Sequence, residues 1–401
     1  MSVPAPTGLP IVQFRARPGT IDLGWGHPHP AALPGAAWAE ASAAAVRRYG
    51  ASALTYGHAT GPGPLIEWLC ARLAEVDAAA PAPERMFVTA GASHALDLAA
   101  SVLCRPGDVV LLESPTYHLA RRVLTDHGVD LVPAPADQDG IDPEATAALV
   151  GALRRQGRQV AMIYLVPTFN NPTGRSLPPD RRVALVAAAE RAGLRLVEDD
   201  TYRELAYPAP APPSLATVGS PDTVVRIGSF AKSVAPGIRL GWLDGPSALT
   251  RALAARGYVD SGGGVNHTAA LTLAEFAANG SYQRHVEAIR VRYRDQRDAL
   301  VAALRRHLPA ARFAVPAGGW FLWLRLPEPA GGTALLPHAE AAGVSYVPGR
   351  QFFVTDTGHQ YLRLSFSLYD PETLADGARR LADAYRNLTD EAATAGVARR
   401  N

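Results

Sequence analysis

Gly228-Ser229-Phe230-Ala231-Lys232-Ser233 decides how this chain is read, because Lys232 is its sole lysine. The 401 residues include 39 lysines and arginines, and every one but Lys232 is arginine. A guanidinium replaces an ammonium wherever positive charge or solubility is all that is wanted. It cannot lose a proton near neutral pH and attack a carbonyl carbon, as a Schiff-base amine must. A composition otherwise free of lysine makes Lys232 the first candidate for covalent attachment of a carbonyl group.

Upstream of this stretch, short β-rich runs alternate with segments of helical period. Met86–Thr89, Val109–Leu112, Val160–Leu165, Leu194–Val197, Thr223–Ile227 and Leu240–Leu243 read as strands, with helices around Ala95–Leu98, Tyr117–Thr125 and Arg181–Ala192. That alternation predicts an α/β fold with a mainly parallel sheet covered by helices on both faces. From about residue 285 a charged helix, Val286 to His307, leads to strands Trp320–Leu324 and Tyr361–Ser365 and a closing helix from Pro371, a smaller α+β domain. The Pro/Ala-rich first 50 residues read as an arm packed against it. The expected division is 1–49 arm, 50–285 large domain and 286–401 small domain.

Composition sets the bounds. An apolar share of 48% and a charged share of 19% describe an ordinary globular chain. A formal net charge of +2, with arginines scattered, gives no footprint for nucleic acid or an acidic membrane. Cys70 and Cys104 make neither a disulfide framework nor a metal spacing. With no basic-then-apolar leader and no membrane-length apolar run, the expectation is a cytoplasmic protein.

Polar motifs follow the predicted strands, where open α/β sheets bind ligands. Gly91-Ala92-Ser93-His94 opens a helix, a natural seat for phosphate or a plain N-cap. Glu113-Ser114-Pro115-Thr116-Tyr117 brings an aromatic ring to the same edge. Asn170-Asn171-Pro172-Thr173-Gly174 follows the third run. Glu198-Asp199-Asp200-Thr201-Tyr202 ends a buried strand with three acids, and at least one needs a cationic or protonated partner.

Together these motifs resemble the fold-type I pyridoxal-phosphate (PLP) enzymes, class I/II aminotransferases of the aminoadipate-transaminase and MocR-like branch. Asn171-Pro172-Thr173-Gly174, Asp199-x-x-Tyr202, Ser229-x-x-Lys232 with Ala235-Pro236-Gly237-x-Arg239, and Arg363-Leu364-Ser365-Phe366 carry the resemblance, which spans about Ile21 to Tyr385. It implies a seven-stranded sheet, with Lys232 as Schiff-base lysine and mover of the α-proton. Asp199 pairs with the pyridinium nitrogen, which lets the ring take up electrons. Asn171 and Tyr202 bond the ring's phenolic oxygen, and Tyr117 stacks on its face. Ala92, Ser93, Ser229 and Arg239 cup the phosphate, and Tyr56 reaches the phosphate of a neighbouring subunit in a homodimer with shared sites. Arg363 grips the substrate α-carboxylate, while Gly26, Trp25 and Asn171 line the substrate. The implied reaction moves an amino group from an amino acid to a 2-oxo acid, 2-oxoglutarate above all.

Departures from the family pattern fall around the substrate. Trp25-Gly26 stands where relatives carry Gly-Gly, and Ala92-Ser93-His94 replaces Ser-Gln-Gln. Gly262-Gly263-Gly264 before His267 marks a mobile or closely packed loop. Arg17, His27, His94 and Arg350 are further pocket candidates. The rival reading keeps the cofactor and turns the same carbanion to γ-elimination or replacement, cyclisation, decarboxylation or oxidation. A MocR-like regulator lacks room for a winged helix before Tyr56. A serine hydrolase at Ser93 lacks the last elbow glycine. Nicotinamide and P-loop readings lack their glycine patterns, and the prolines beside His27 and His29 favour a kinked loop over a metal pair.

Overall fold

The computed structural model describes residues 16–328 and 330–398. A seven-stranded sheet forms its centre: β1 (Met86–Thr89), β2 (Val109–Leu112), β3 (Asp130–Pro133), β4 (Val160–Leu165), β5 (Arg195–Asp199), β6 (Val224–Ser229) and β7 (Gly241–Asp244), in spatial order β1-β7-β6-β5-β4-β2-β3. The strands from β6 to β3 run parallel, and β7 lies antiparallel to both β1 and β6. The wholly buried runs Met-Phe-Val-Thr and Val-Val-Leu-Leu are what a sheet covered on both faces requires. The fold is the α/β class expected, and its seventh strand is β3. Asp130-Leu131-Val132-Pro133 reads as loop because a charge opens it and a proline closes it; as an edge strand it tolerates both.

Register builds the site. Gly241 of β7 sits opposite Thr89 on one side and Ser229 on the other, so the turns after β1 and β6 emerge side by side. Asp199 pairs with Ile227, and Glu198 with Leu165, so β4 and β5 end at the same edge.

A second, antiparallel sheet comprises β8 (Phe321–Arg325), β9 (Val347–Pro348) and β10 (Tyr361–Ser365), with β10 central. The helices Ser281–His307 and Pro371–Ala398 cover it, burying Tyr293, Leu300 and Leu304 with Leu374 and Leu381. The first of these begins at Ser281, a turn before the expected Val286. The N-terminal arm splits its contacts. Ile21–Asp22 adds to Val344–Ser345 beside the smaller sheet, while helix Gly35–Tyr49 packs on helix His267–Ala278, through Ala41 and Ala45 against Ala270 and Leu271. Its alanine face allows the close approach that a larger stripe would prevent. Among the described residues, no helix is long and apolar enough to cross a membrane.

Behind the sheet edge lies a buried ionic cluster. Arg226 donates to Asp200 at 2.6 and 2.9 Å and to Asp77 at 2.7 Å, and Arg203 also bonds Asp77. The Arg226 guanidinium lies 5.3 Å from the centre of the Trp242 ring. These contacts tie helix Gly63–Asp77 to the strand ends that carry Asp199 and Lys232. Removing one partner of a buried pair leaves the other charged and dry. Asp77→Ala is therefore expected to cost about 3–5 kcal/mol of stability, read as a lowered urea midpoint in equilibrium unfolding; an unchanged midpoint would contradict it.

Candidate active site

Lys232 lies in the turn after β6. Phe230 N donates to Leu240 O, Val234 N to Phe230 O, and Ala231 N to the Ser229 hydroxyl at 3.1 Å, which fixes the turn before the lysine. The lysine Nζ sits 4.5 Å from the Trp320 ring centre and 6.0 Å from that of Tyr202. Burial drives its pKa down to about 8; Asp199 opposes the fall, and Arg363 and Arg239 add to it.

Asp199, at the end of β5, is buried with neutral donors on both oxygens. The Tyr164 hydroxyl donates to Oδ2 at 2.8 Å, while the Thr201 hydroxyl and amide reach Oδ1. Burial raises its pKa, and those donors restrain the rise. The flanking acids are partnered differently: Asp200 by Arg226 through Oδ2 alone, and Glu198 by the Ser214 hydroxyl with Arg182 at 3.8 Å. The expectation that at least one of the three acids has a cationic partner is met by Asp200 with Arg226.

Arg363, on β10, is buried without a carboxylate partner among the described residues. It donates to Asn171 Oδ1 at 2.8 Å and to Gly24 O at 2.6 Å, and its Nε has no partner. The guanidinium lies 4.1 Å from the Phe321 ring centre and 4.9 Å from that of Phe352. Burial pulls its pKa to about 10, so it stays cationic at neutral pH. Asn171 also bonds the buried Tyr202 hydroxyl, whose pKa burial drives upward. Gly26 lies against Phe321, where an added Cβ would come within 2.8 Å of the ring. Trp25 and His27 meet edge to face at 5.4 Å.

Across the edge, helix Ala92–Leu103 begins at Gly91, whose φ of +96° suits glycine, and no side chain caps it. Arg239 reaches over this turn and donates to Ala90 O at 2.9 Å. His94 folds back, its Nδ1 accepting from Ala90 N at 3.0 Å. Tyr117 precedes helix His118–Thr125, close enough to Asp199 and Arg363 to feel both charges. The structure thus gathers Lys232, Asp199, Asn171, Tyr202, Arg363, Tyr117, Ser229, Arg239, Ala92 and Ser93 at one sheet edge, with Trp25 and Gly26 beside Arg363. It leaves Tyr56 outside that group, 81% exposed beside Leu54 at 69%. His267 braces that turn, its Nε2 2.9 Å from Ser52 O. The glycine loop is closely packed: Gly264 N donates to His58 O, and a Cβ on Gly263 would lie 2.0 Å from Gly57 O. Arg17 bridges Asp22 and Glu340, and Arg350 pairs with exposed Asp356, so both are engaged away from Arg363. Among the described residues no cluster suits a metal, and His29 accepts from Ala31 N.

Residues 20–381 match the family model for aminotransferase class I and II. A 2-aminoadipate transaminase from Thermus thermophilus is 33% identical, over 96% of this chain and 95% of that protein. An aromatic-amino-acid aminotransferase from Thermococcus litoralis is 30% identical, over 91% and 88%. Among solved structures, the α-aminoadipate aminotransferase of Thermus thermophilus, complexed with N-(5'-phosphopyridoxyl)-L-leucine, superposes with a TM-score of 0.81 at 31% identity, covering 93% of this chain and 94% of that one. The chain belongs to the class I and II aminotransferases. It is a PLP-dependent enzyme of fold type I.

Four contributors to this aminotransferase site escaped sequence reasoning: Tyr164, Trp320, Phe321 and the carbonyl of Gly24. Tyr164 sits inside an apolar strand run and reads as core, and a backbone carbonyl leaves no residue-type signal. The lowered amine has a measurable consequence. When apoprotein is labelled with pyridoxal phosphate and trapped by borohydride, the rate at Lys232 should rise with pH, reach half its maximum near 8 and level off above about 9. An ordinary lysine, titrating near 10.4, would still be gaining rate at pH 10.

Proposed function

We propose that this aminotransferase carries its cofactor on Lys232 and moves an amino group from an amino acid to a 2-oxo acid, with 2-oxoglutarate as acceptor. The observation that supports this best is the placement of the sole lysine, its pKa lowered, in a site that also holds a buried acid and a buried arginine. The residues fit PLP. Asp199 has only neutral donors, so it has capacity for a cationic ring nitrogen. The turn at Ala92 and Ser93 is uncapped and lies beside Arg239 and Ser229, which suits a phosphate. Asn171 and Tyr202 offer hydrogen bonds to a ring oxygen, and Tyr117 offers a stacking face.

Bound there, PLP supplies an aldehyde that takes up nitrogen and a ring that accepts electrons. The chain's own groups do the rest. Arg363 grips the α-carboxylate, its Nε available and its charge undiminished at neutral pH. Flanked by Phe321 and Phe352, it is held in one plane, and that orients the α-hydrogen of the substrate. Lys232 Nζ would accept this proton and hand it on within the site, a task suited to an amine whose pKa burial lowers to about 8. Phe321, Trp320 and Tyr202 limit water around the amine. Amino acid and 2-oxo acid both present an α-carboxylate, so one arginine serves both half-reactions.

A homodimer with shared sites is part of the proposal. Its support is the exposed pair Leu54 and Tyr56, on a turn braced by His267, with Tyr56 serving a second copy's phosphate cup. The free cysteines Cys70 and Cys104 suit a reducing, cytoplasmic setting.

Lys232→Ala should abolish 2-oxo-acid-dependent amino transfer and remove the pyridoxyl adduct seen by mass spectrometry after borohydride. Retained turnover would sink the assignment. Arg363→Ala should raise KM for the amino donor by about 10- to 100-fold, the worth of charge-assisted hydrogen bonds. Shared sites make a separate claim: Lys232→Ala and Tyr56→Ala proteins, each impaired alone, should regain activity when mixed and allowed to exchange subunits. No recovery, with mixed dimers present by native mass spectrometry, would contradict it.

A further inference from the structure

Glu113 follows β2 and takes no part in the chemistry above. Its backbone amide donates to Tyr164 O at 3.1 Å, continuing the β2–β4 ladder one residue further. Its carboxylate turns toward the segment after β4, where Oε2 accepts from Val166 N at 3.0 Å and from Asn170 Nδ2 at 2.9 Å. Among the described residues no arginine bonds it. Arg182 acts only at a distance, and burial lifts the Glu113 pKa to about 7.

Asn170 is the hub of the turn that presents Asn171. Its Oδ1 accepts from Thr173 N and from the Thr173 hydroxyl, both at 3.0 Å. Its backbone closes the turn, with Asn170 N donating to Arg175 O and Gly174 N to Asn170 O. A carboxamide has one acceptor end and one donor end. Thr173 occupies the acceptor end, so the donor end needs an acceptor, and Glu113 is that acceptor. The preceding residue, Phe169, is buried with a φ of +49°, a conformation a bulky side chain holds only when its neighbours over-determine it. One residue beyond the hub, Asn171 meets Arg363 and Tyr202.

We propose that Glu113 is a positioning residue for substrate binding: through the Asn170 carboxamide it fixes the turn that aims Asn171 at Arg363. The inference rests on Arg363 being the carboxylate grip. It gives a purpose to a partly buried acid with no ion-pair partner among the described residues, and it predicts that the role depends on accepting hydrogen bonds and not on charge.

The experiment is a double-mutant cycle on the holoenzyme, with steady-state kinetics on one amino donor. Glu113→Ala and Asn170→Ala should each lower kcat/KM by about 10- to 100-fold, chiefly by raising KM, and the double variant should be no worse than the poorer single. Glu113→Gln keeps an acceptor oxygen and should stay within about threefold of the parent. A conservative pair covers the case in which the alanine variants fail to fold. Asn170→Asp alone sets two carboxylates face to face and should lose activity, and adding Glu113→Gln should recover it by restoring a donor between them. Multiplying losses in the cycle, losses confined to kcat, or no recovery in the Asn170→Asp, Glu113→Gln pair would each overturn the proposal. If the proposed function itself were wrong, the parent would lack amino transfer. If only the Glu113 role were wrong, the parent would turn over and these couplings would be missing.

Discussion

The site depends on a close approach of backbones. An added Cβ on Gly241 would lie 2.8 Å from Gly91 Cα and 2.6 Å from Gly228 O. Only a residue without a side chain lets β7 lie between β1 and β6 while the turn at Gly91 folds over it. That insertion brings the start of helix Ala92–Leu103, Ser229 and Arg239 to one place, with Lys232 a single turn further on. A substituent there would separate the helix start from the lysine turn. Every group on the other strands would then face a divided site.

Charge is handled in two contrasting ways on either side of this edge. Behind it, Asp77, Arg203, Asp200 and Arg226 are paired directly, carboxylate to guanidinium. In front, Asp199 is held by a phenol, a hydroxyl and an amide, Arg363 by a carboxamide and a carbonyl, and Lys232 faces aromatic rings. Neutral partners orient an ion without consuming its charge. A buried ion held in this way retains much of its capacity to act on a ligand, whereas one locked in a salt bridge has already spent it. The paired cluster in turn anchors the strand ends, so that the three functional charges stay apart instead of collapsing on one another.

How much of this was legible in the sequence follows from the type of information each feature leaves. Lys232 stood out because composition isolates it. Asp199 and Asn171 lie just beyond apolar runs, where a polar residue demands a reason. The parallel strands were visible because burial on both faces leaves continuous hydrophobic runs. Strand Asp130–Pro133 was not, since an edge needs no such run. Tyr164 and Phe321 were hidden for the opposite reason: each belongs to a run that packing alone would explain, and only the fold shows which way the ring turns. Glu113 was quoted merely as the neighbour of Tyr117. Its relation to Asn170 spans 57 positions and depends on β2 lying beside β4. The packing of helix Gly35–Tyr49 was obscured by its alanines, which fit many surfaces and specify none.

The departures around Trp25 and His27 take on a definite meaning in this geometry. Their segment is held by its backbone: Gly24 O accepts from Arg363, Gly26 has no room for a side chain above Phe321, and His27 O accepts from the Ser367 hydroxyl at 2.7 Å. Two backbone carbonyls and a glycine thus fix this segment beside Arg363. The rings of Trp25 and His27 meet edge to face. A segment held through its backbone keeps its path when the side chains along it change.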